Sequence, residues 1–416
     1  MRNRRKSSNL AWIGAILLAL AVLGGVGYAN YRYAVQNPGG TDFLVHWVGT
    51  KSLIEDGISP YSDETALQIQ EMVYGRPAVA GEHELRVAYP LYSIIIFLPF
   101  AFVDDFNIAR AAWMTLLEIS LVLMSLLCLR IMRWRPGLVV LAVFFLFSIT
   151  WYHAVRPLIN GNAVILVALM LTGVILAIRA RHEELAGVLL AFSTMKPQVV
   201  ILITVYILIW AIARRRWKIV GWFFATLAIL SASVALLVPD WILQNIREVL
   251  RYPGYNPPGT PGAAFAEWLP GIGQRLGYAL SAMVGLILLT EWFIHRKAEN
   301  RAFLWTVSLT LVLSQWSGIQ TDPGNFIVVF PALVLLMKGL QDRWSAGGGW
   351  VNVILMLVLL VGLWGIFLVT LGPGDSPQQS PVMFFPLISV LLLGLYWIRW
   401  WATHPPATWI DQFEEP

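Results

Sequence analysis

The chain reads as a series of long apolar runs separated by short polar breaks. Runs at 10–28, 108–131, 139–153, 163–178, 185–194, 199–213, 219–238, 276–294, 303–316, 326–340, 351–371 and 382–401 predict twelve membrane-crossing helices. The segment 89–103, YPLYSIIIFLPFAFV, is apolar but falls short of the roughly 20 residues a crossing needs. It also ends on Asp104 and Asp105 without a basic flank, so it predicts a half-inserted or interfacial helix. Two long polar intervals interrupt the series. The first, 34–107, is rich in acids and carries a helical pattern at 63–74. The second, 239–275, holds a predicted surface helix at 241–250 and the run YPGYNPPGTPG. The pattern predicts an all-α polytopic fold, a single integral membrane domain over 1–416.

Composition narrows the class. Of 416 residues 58% are hydrophobic and 13% charged, about half the charged share of a soluble domain. The net charge of +5 raises the question of nucleic acid, but the basic residues sit in short loops between apolar runs. That distribution follows the positive-inside pattern and excludes a nucleic-acid face. Arg2, Arg4, Arg5 and Lys6 place the N-terminus in the cytoplasm, and the even number of crossings returns the C-terminus to the same side. The first run continues to Tyr28 without an A-x-A-like cleavage site, which predicts a retained anchor. Cys128 is the one cysteine and lies in an apolar run, as a small apolar residue would. The tryptophans, 20 in all, read as interfacial anchors.

The polar groups that need a reason fall on the outer side of this topology. Asp42 and His46 follow the first crossing, within QNPGGTDFLVHWVGTKSLIEDGISPY, which ends on the Pro60–Tyr61 turn. His153, Arg156, Asn160 and Asn162 follow the third, in HAVRPLINGN. Lys196 and Gln198 lie in STMKPQ, between two short apolar helices. Gln315, Gln320, Asp322 and Asn325 follow the ninth, in SQWSGIQTDPGN. An ammonium in the middle of 185–213 costs about 2.5–3.5 kcal/mol unless it reaches water or an anion. Lys196 therefore marks either a tight external turn or an anion contact. Asp42 either caps a helix or is a carboxylate kept at the membrane boundary for use. His46 is four residues on and shares its helical face. His153 and Arg156 read as aromatic-belt anchors or as pocket groups. No HExxH, paired CxxC, Walker loop or GxSxG occurs, and His46, His83 and His153 lack metal-ligand spacing. Glycines 347–349 read as a cytoplasmic linker.

T-D-F at 41–43, G-I-S-P-Y at 57–61, Y-P-L at 89–91 with Pro99, N-G-N at 160–162 and A-G-V-L-L-A-F-S-T-M-K-P-Q at 186–198 come in that order. Together they resemble glycosyltransferase family 87, of the glycosyltransferase C superfamily, with departures at Leu91 and Asn162. The resemblance spans most of 10–340. It implies a glycosyltransferase C-type fold in the inner (plasma) membrane of a bacterium. It also implies transfer of a hexose, mannose above all, from a polyprenyl-phosphate donor to a lipid-linked or glycan acceptor on the extracytoplasmic face. Asp42 matches the superfamily's first-loop acid, the general base. Lys196, with Arg156, His153, Asn160, Asn162 and Gln198, would hold donor phosphate or sugar; His46, Tyr61, Tyr89, Gln320, Asp322 and Asn325 complete a candidate pocket. One base with direct attack implies inversion. No cofactor is implied, and a divalent metal stays open if Asp42 and Asp322 meet in space. Two other readings of the same pattern are a transporter or lipid flippase, and an O-antigen polymerase or ligase type of enzyme.

Overall fold

A computed structural model describes residues 2–256, 259–371 and 380–403, and the side chains of 14–345, 347–371 and 380–399 within them. Every regular element among them is helical. The expected proline pair at 257–258 and the cytoplasmic tail beyond 403 lie outside the described residues. Among the described residues eight helical segments are long and apolar enough to cross a membrane: Gly14–Gln36, Phe106–Met132, Leu138–Asn160, Trp217–Ala235, Gly273–His295, Pro323–Ser345, Gly347–Val369 and Pro381–Arg399. Shorter apolar helices occupy Leu91–Ala101, Val164–Arg179 and Pro197–Ala213. The contacts divide the chain into two units.

The first unit comprises Met1–Val87, Ile94–Ile119 and Leu158–Asn162. Its opening helix, expected to end at 28, runs on to Gln36. The reason is a partnered polar group: Asn30 donates to Glu118 Oε2 at 2.8 Å and to Thr115 Oγ1 at 3.0 Å, so the amide has no need of water. Thr41–Lys51 then packs on Ile94–Ala101 and Asp63–Tyr74. Helix Asp63–Tyr74 has the bounds its pattern predicts, capped by the Ser62 hydroxyl and ended at Gly75.

The loop that follows is pinned by charge. Arg76 reaches both carboxylate oxygens of Glu82, at 2.8 and 2.7 Å, and the Val79 amide donates to the same group at 3.0 Å. The bonds from Arg76, then from Val79, bring the Glu82 carboxyl from 4.5 down to about 2. A carboxyl depressed on folding stabilises above its ordinary value and loses that contribution as pH falls toward the folded one. Hydrogen exchange at 75–86, corrected for intrinsic rate, is therefore expected to rise between pH 4.5 and 2 as Glu82 is protonated. Glu82→Gln should show the faster exchange at neutral pH; equal protection in variant and wild type would refute the pinning.

The second unit comprises Ala88–Ser93, Ser120–Pro157 and Ala163–Pro416. Helix Asn300–Ser314 is buried almost along its whole length, from Phe303 to Ser314. It packs against Pro197–Ala213, Gly273–His295, Phe330–Val369 and Pro386–Thr403. Its hydroxyls are absorbed inside: Trp292 donates to Thr310 at 2.9 Å, and Thr306 bonds back to Ala302 at 2.9 Å. Three basic turns gather at one end of this unit. Arg179 bonds the Ile131 carbonyl and Arg216 bonds the Ile178 carbonyl at 3.1 Å.

Two expectations change here. Glycines 347–349 open the helix Gly347–Val369 rather than forming a linker. The chain reverses at Ser345, whose backbone is non-helical, and a Cβ on Gly348 would stand 2.5 Å from the Leu340 oxygen. Small residues admit that approach, and Asn352 donates back to the Met337 carbonyl at 2.8 Å. The helix expected to end at 153 stops at Thr150; Trp151 is extended, and a second helix, Tyr152–Asn160, continues the span. His153, Arg156 and Asn160 therefore stand on a helix, not in a loop.

Candidate functional site

The sequence PGGTD sets up the first group of interest. Gly40 has φ of +74°, a conformation open to glycine at little cost, and a Cβ there would lie 2.5 Å from Arg110 Nε. Arg110 is buried and donates to the Asn37 carbonyl at 2.7 Å and the Ile159 carbonyl at 3.3 Å. It thus clamps the turn from which helix Thr41–Lys51 starts. Gly40, not Asp42, is the cap; Asp42 sits in the first turn, where the helix dipole favours a carboxylate. The side chain is half-buried, and its Oδ2 accepts from Asn162 Nδ2 at 2.9 Å. At the other end of this helix the Asp104 carboxylate, 2.5 Å from Lys51, holds the ammonium above its ordinary value and is itself drawn down.

The Asn162 contact depends on Gly161. Its φ is +70°, and a Cβ would stand 2.5 Å from Phe43 Cβ. Trp113 donates to the Gly161 carbonyl at 2.8 Å and stacks on Phe43 at 5.2 Å. The N-G-N turn thus lies flat on the helix that carries Asp42. Gly161→Ala should destabilise the protein by roughly 1–3 kcal/mol, from strain and overpacking together. A thermal-unfolding midpoint unchanged from wild type would show that the turn has room. Among the other expected pocket groups of this unit, His46 is buried and stacks on Phe97 at 4.6 Å. Tyr61 is buried in the Ser59 turn, and Asn160 is half-buried at the end of its helix.

In the second unit three separated segments converge. Lys196 is 3% exposed and donates to Asn325 Oδ1 at 2.7 Å. Its ammonium lies over the Tyr89 ring at 5.5 Å. Pro197 takes the first position of helix Pro197–Ala213, where its missing N–H is harmless. Asn325 donates in turn to Thr321 Oγ1 at 3.1 Å. Asp322 is exposed and caps the 3-10 turn Pro323–Val329 through the Gly324 amide at 2.5 Å. His153, wholly buried, bonds the Pro323 carbonyl through Nδ1 at 2.7 Å. Its Nε2 has no hydrogen-bond partner among the described residues. The Arg156 side chain passes beside Gly324, where a Cβ would meet its Cγ at 3.7 Å. Gln198 is half-buried in the first turn of its helix, and Gln320 has a buried Nε2 unpartnered among the described residues.

Residues the sequence reading passed over do the positioning. Arg110 could have been noticed as a lone cation near the start of an apolar run, the kind of residue that needs carbonyl partners. Asn245, on the polar side of Trp241–Arg251, bonds the Ala88 and Tyr89 carbonyls at 3.0 and 3.1 Å. Among the described residues no three of His, Cys, Asp and Glu gather as a metal site. What the two clusters offer is a carboxylate with one amide partner and a buried ammonium on an aromatic face. The first suits proton acceptance; the second suits an anion.

The eight candidate spans among the described residues define a multi-pass membrane protein. The model of glycosyltransferase family 87 matches residues 88–315, more than half of the chain, and the chain belongs to that family. It is a membrane glycosyltransferase. The match takes in Tyr89, His153, Arg156, Asn160, Asn162, Lys196 and Gln198; Asp42 precedes it. No curated protein and no solved structure matches the chain.

Proposed function

We propose that this enzyme moves a hexose, mannose in the first instance, from a polyprenyl-phosphate carrier to a hydroxyl of a lipid-linked or glycan acceptor on the extracytoplasmic face. The observation that carries the reading is the Asp42 carboxylate, half-buried in the first turn of a helix just past the first span and bonded through Oδ2 to Asn162. Oδ1 takes the acceptor proton as the new bond forms between the acceptor oxygen and the anomeric carbon. The bond from that carbon to the phosphate oxygen breaks, and polyprenyl phosphate leaves with the electron pair. Lys196 offsets the charge on the leaving phosphate, and Arg156, Asn160 and Gln198 contact phosphate or sugar. Direct displacement with one base inverts the anomeric centre.

The proposed topology has twelve crossings, the short helices Val164–Arg179, Glu183–Ser193, Pro197–Ala213 and Asn300–Ser314 being added to the eight long spans. Both termini are cytoplasmic in the inner membrane of a bacterium, an orientation that the joined basic turns at 130–135, 179–181 and 214–216 support. The test is transfer by the purified protein in vesicles. A labelled polyprenyl-phosphate hexose should be consumed and the sugar should appear on a lipid or glycan product. Turnover with a sugar nucleotide or an oligosaccharide diphosphate lipid, and none with the monophosphate, would overturn the donor.

A further inference from the structure

Helix Trp241–Arg251 has two faces that differ in kind. Trp241, Asn245 and Glu248 turn toward the fold: Trp241 and Glu248 are buried, and Trp241 meets Tyr92 edge-on at 5.9 Å, while Gln244 is half-buried and donates to Asp240 at 2.7 Å. Ile242, Leu243, Ile246, Val249 and Leu250 form one exposed apolar stripe at helical spacing, between 49% and 76% exposed. Arg247 and Arg251, also exposed, flank that stripe. The helix is too short and too polar to cross. It is tethered close to a membrane surface at its start, five residues after the span Trp217–Ala235, and the chain re-enters through the span Gly273–His295. An apolar stripe with a basic flank beside a span fits the boundary between acyl chains and anionic headgroups.

The inward face carries the second half of the argument. Asn245 holds two successive carbonyls, those of Ala88 and Tyr89. Tyr89 is the residue whose ring lies under the Lys196 ammonium. Tyr92, three residues on, is fixed to Thr194 by its hydroxyl at 2.9 and 3.0 Å, two residues before Lys196. We infer that Trp241–Arg251 is an in-plane membrane helix docked in the anionic lipid leaflet, and that Asn245 is a positioning residue through which this helix sets Tyr89 against Lys196. Use of the donor then depends on the bilayer as well as on the groups that touch it. The coupling to donor use rests on the role given to Lys196 above; the docking does not.

Two measurements test the two halves separately. Ile246→Cys and Gln244→Cys, each in a Cys128→Ala background, are labelled with an environment-sensitive fluorophore. The proteins are placed in vesicles of phosphatidylglycerol and phosphatidylcholine, with brominated lipid or aqueous iodide as quencher. The label at 246 should be quenched by brominated lipid at least threefold more than the label at 244, with little quenching by iodide. Strong iodide quenching at 246 would leave the face in water; protection from both quenchers would assign it to a protein partner; either result overturns the docking. Asn245→Ala is then assayed with whichever donor supports turnover. The donor KM should rise about tenfold with kcat and acceptor KM held within twofold, and Asn245→Gln should restore part of the difference. An unchanged donor KM, or an equal fall in kcat and rise in both KM values, would overturn the positioning role whatever the donor proves to be.

Discussion

Replacing Asp42 by asparagine is expected to lower transfer by about 10²–10⁴-fold, the usual contribution of a positioned general base. The substitution keeps the shape of the side chain and removes its capacity to take a proton. Its structural effects are small by comparison. A carboxylate in the first turn of a helix contributes about 0.3–1 kcal/mol against the helix dipole, and the amide can still accept from Asn162, now 2.9 Å from Oδ2. Membrane insertion and the thermal midpoint should therefore stay near wild type while turnover falls. Asn162→Ala separates positioning from chemistry: the carboxylate remains but loses its tether, so turnover should fall less than in Asp42→Asn. Both are measured as single-turnover sugar transfer by purified protein in vesicles, with donor in excess. Asp42→Asn turnover within tenfold of wild type would remove Asp42 as the base.

Much of this was legible along the chain, because hydropathy reports helices that face lipid. The spans at 106–132, 217–235 and 273–295 differ from their predicted runs by a few residues. What hydropathy misjudges is a polar residue that has a partner. The first crossing is predicted to end at Tyr28, yet Asn30 just beyond it bonds Glu118 and the helix carries on to Gln36. Trp151 falls near the end of the predicted run 139–153, yet its extended backbone ends that helix at Thr150 and a second begins at Tyr152. Such features depend on residues 88 positions away or on one backbone angle, and neither has a local signature.

The candidate site shows the same division. The types of its residues stood out, since carboxylates, ammonium groups and amides beside apolar runs are expensive and need a reason. The partners that orient them did not. Nothing near Asp42 in sequence points to Asn162, and nothing near Lys196 points to Asn325, 129 residues on. Gly161 could be read as a turn residue, but its role as the surface on which Phe43 rests is a matter of close approach between distant segments. Arg110 falls in a run that otherwise reads as plain span, so its clamp on Asn37 was invisible until the turn was formed.

Lys196→Met is expected to cut kcat/KM for the donor by about 10²–10³-fold, the scale seen when one electrostatic contact to a developing charge is lost. Stability should change much less, because two terms oppose. Removing the ammonium gives up its hydrogen bond to Asn325 Oδ1 at 2.7 Å, worth about 1.5–3 kcal/mol for a charged donor, and its contact with the Tyr89 ring. It also removes a charge whose burial costs about 2.5–3.5 kcal/mol on insertion scales. Methionine fills nearly the same volume and adapts to irregular space. The midpoint of unfolding should then shift little, so that lost activity is not lost fold. Because the ammonium is assigned to the leaving phosphate, the KM for acceptor should stay within about twofold, whereas Asp42→Asn should lower turnover at saturating concentrations of both substrates. Lys196→Arg retains charge but needs more room in a buried place and should recover only part of the donor use. If Lys196→Met unfolds the protein at the growth temperature, or lowers donor and acceptor use in equal measure, the ammonium holds the segments 194–198 and 321–326 together and has no part in binding phosphate.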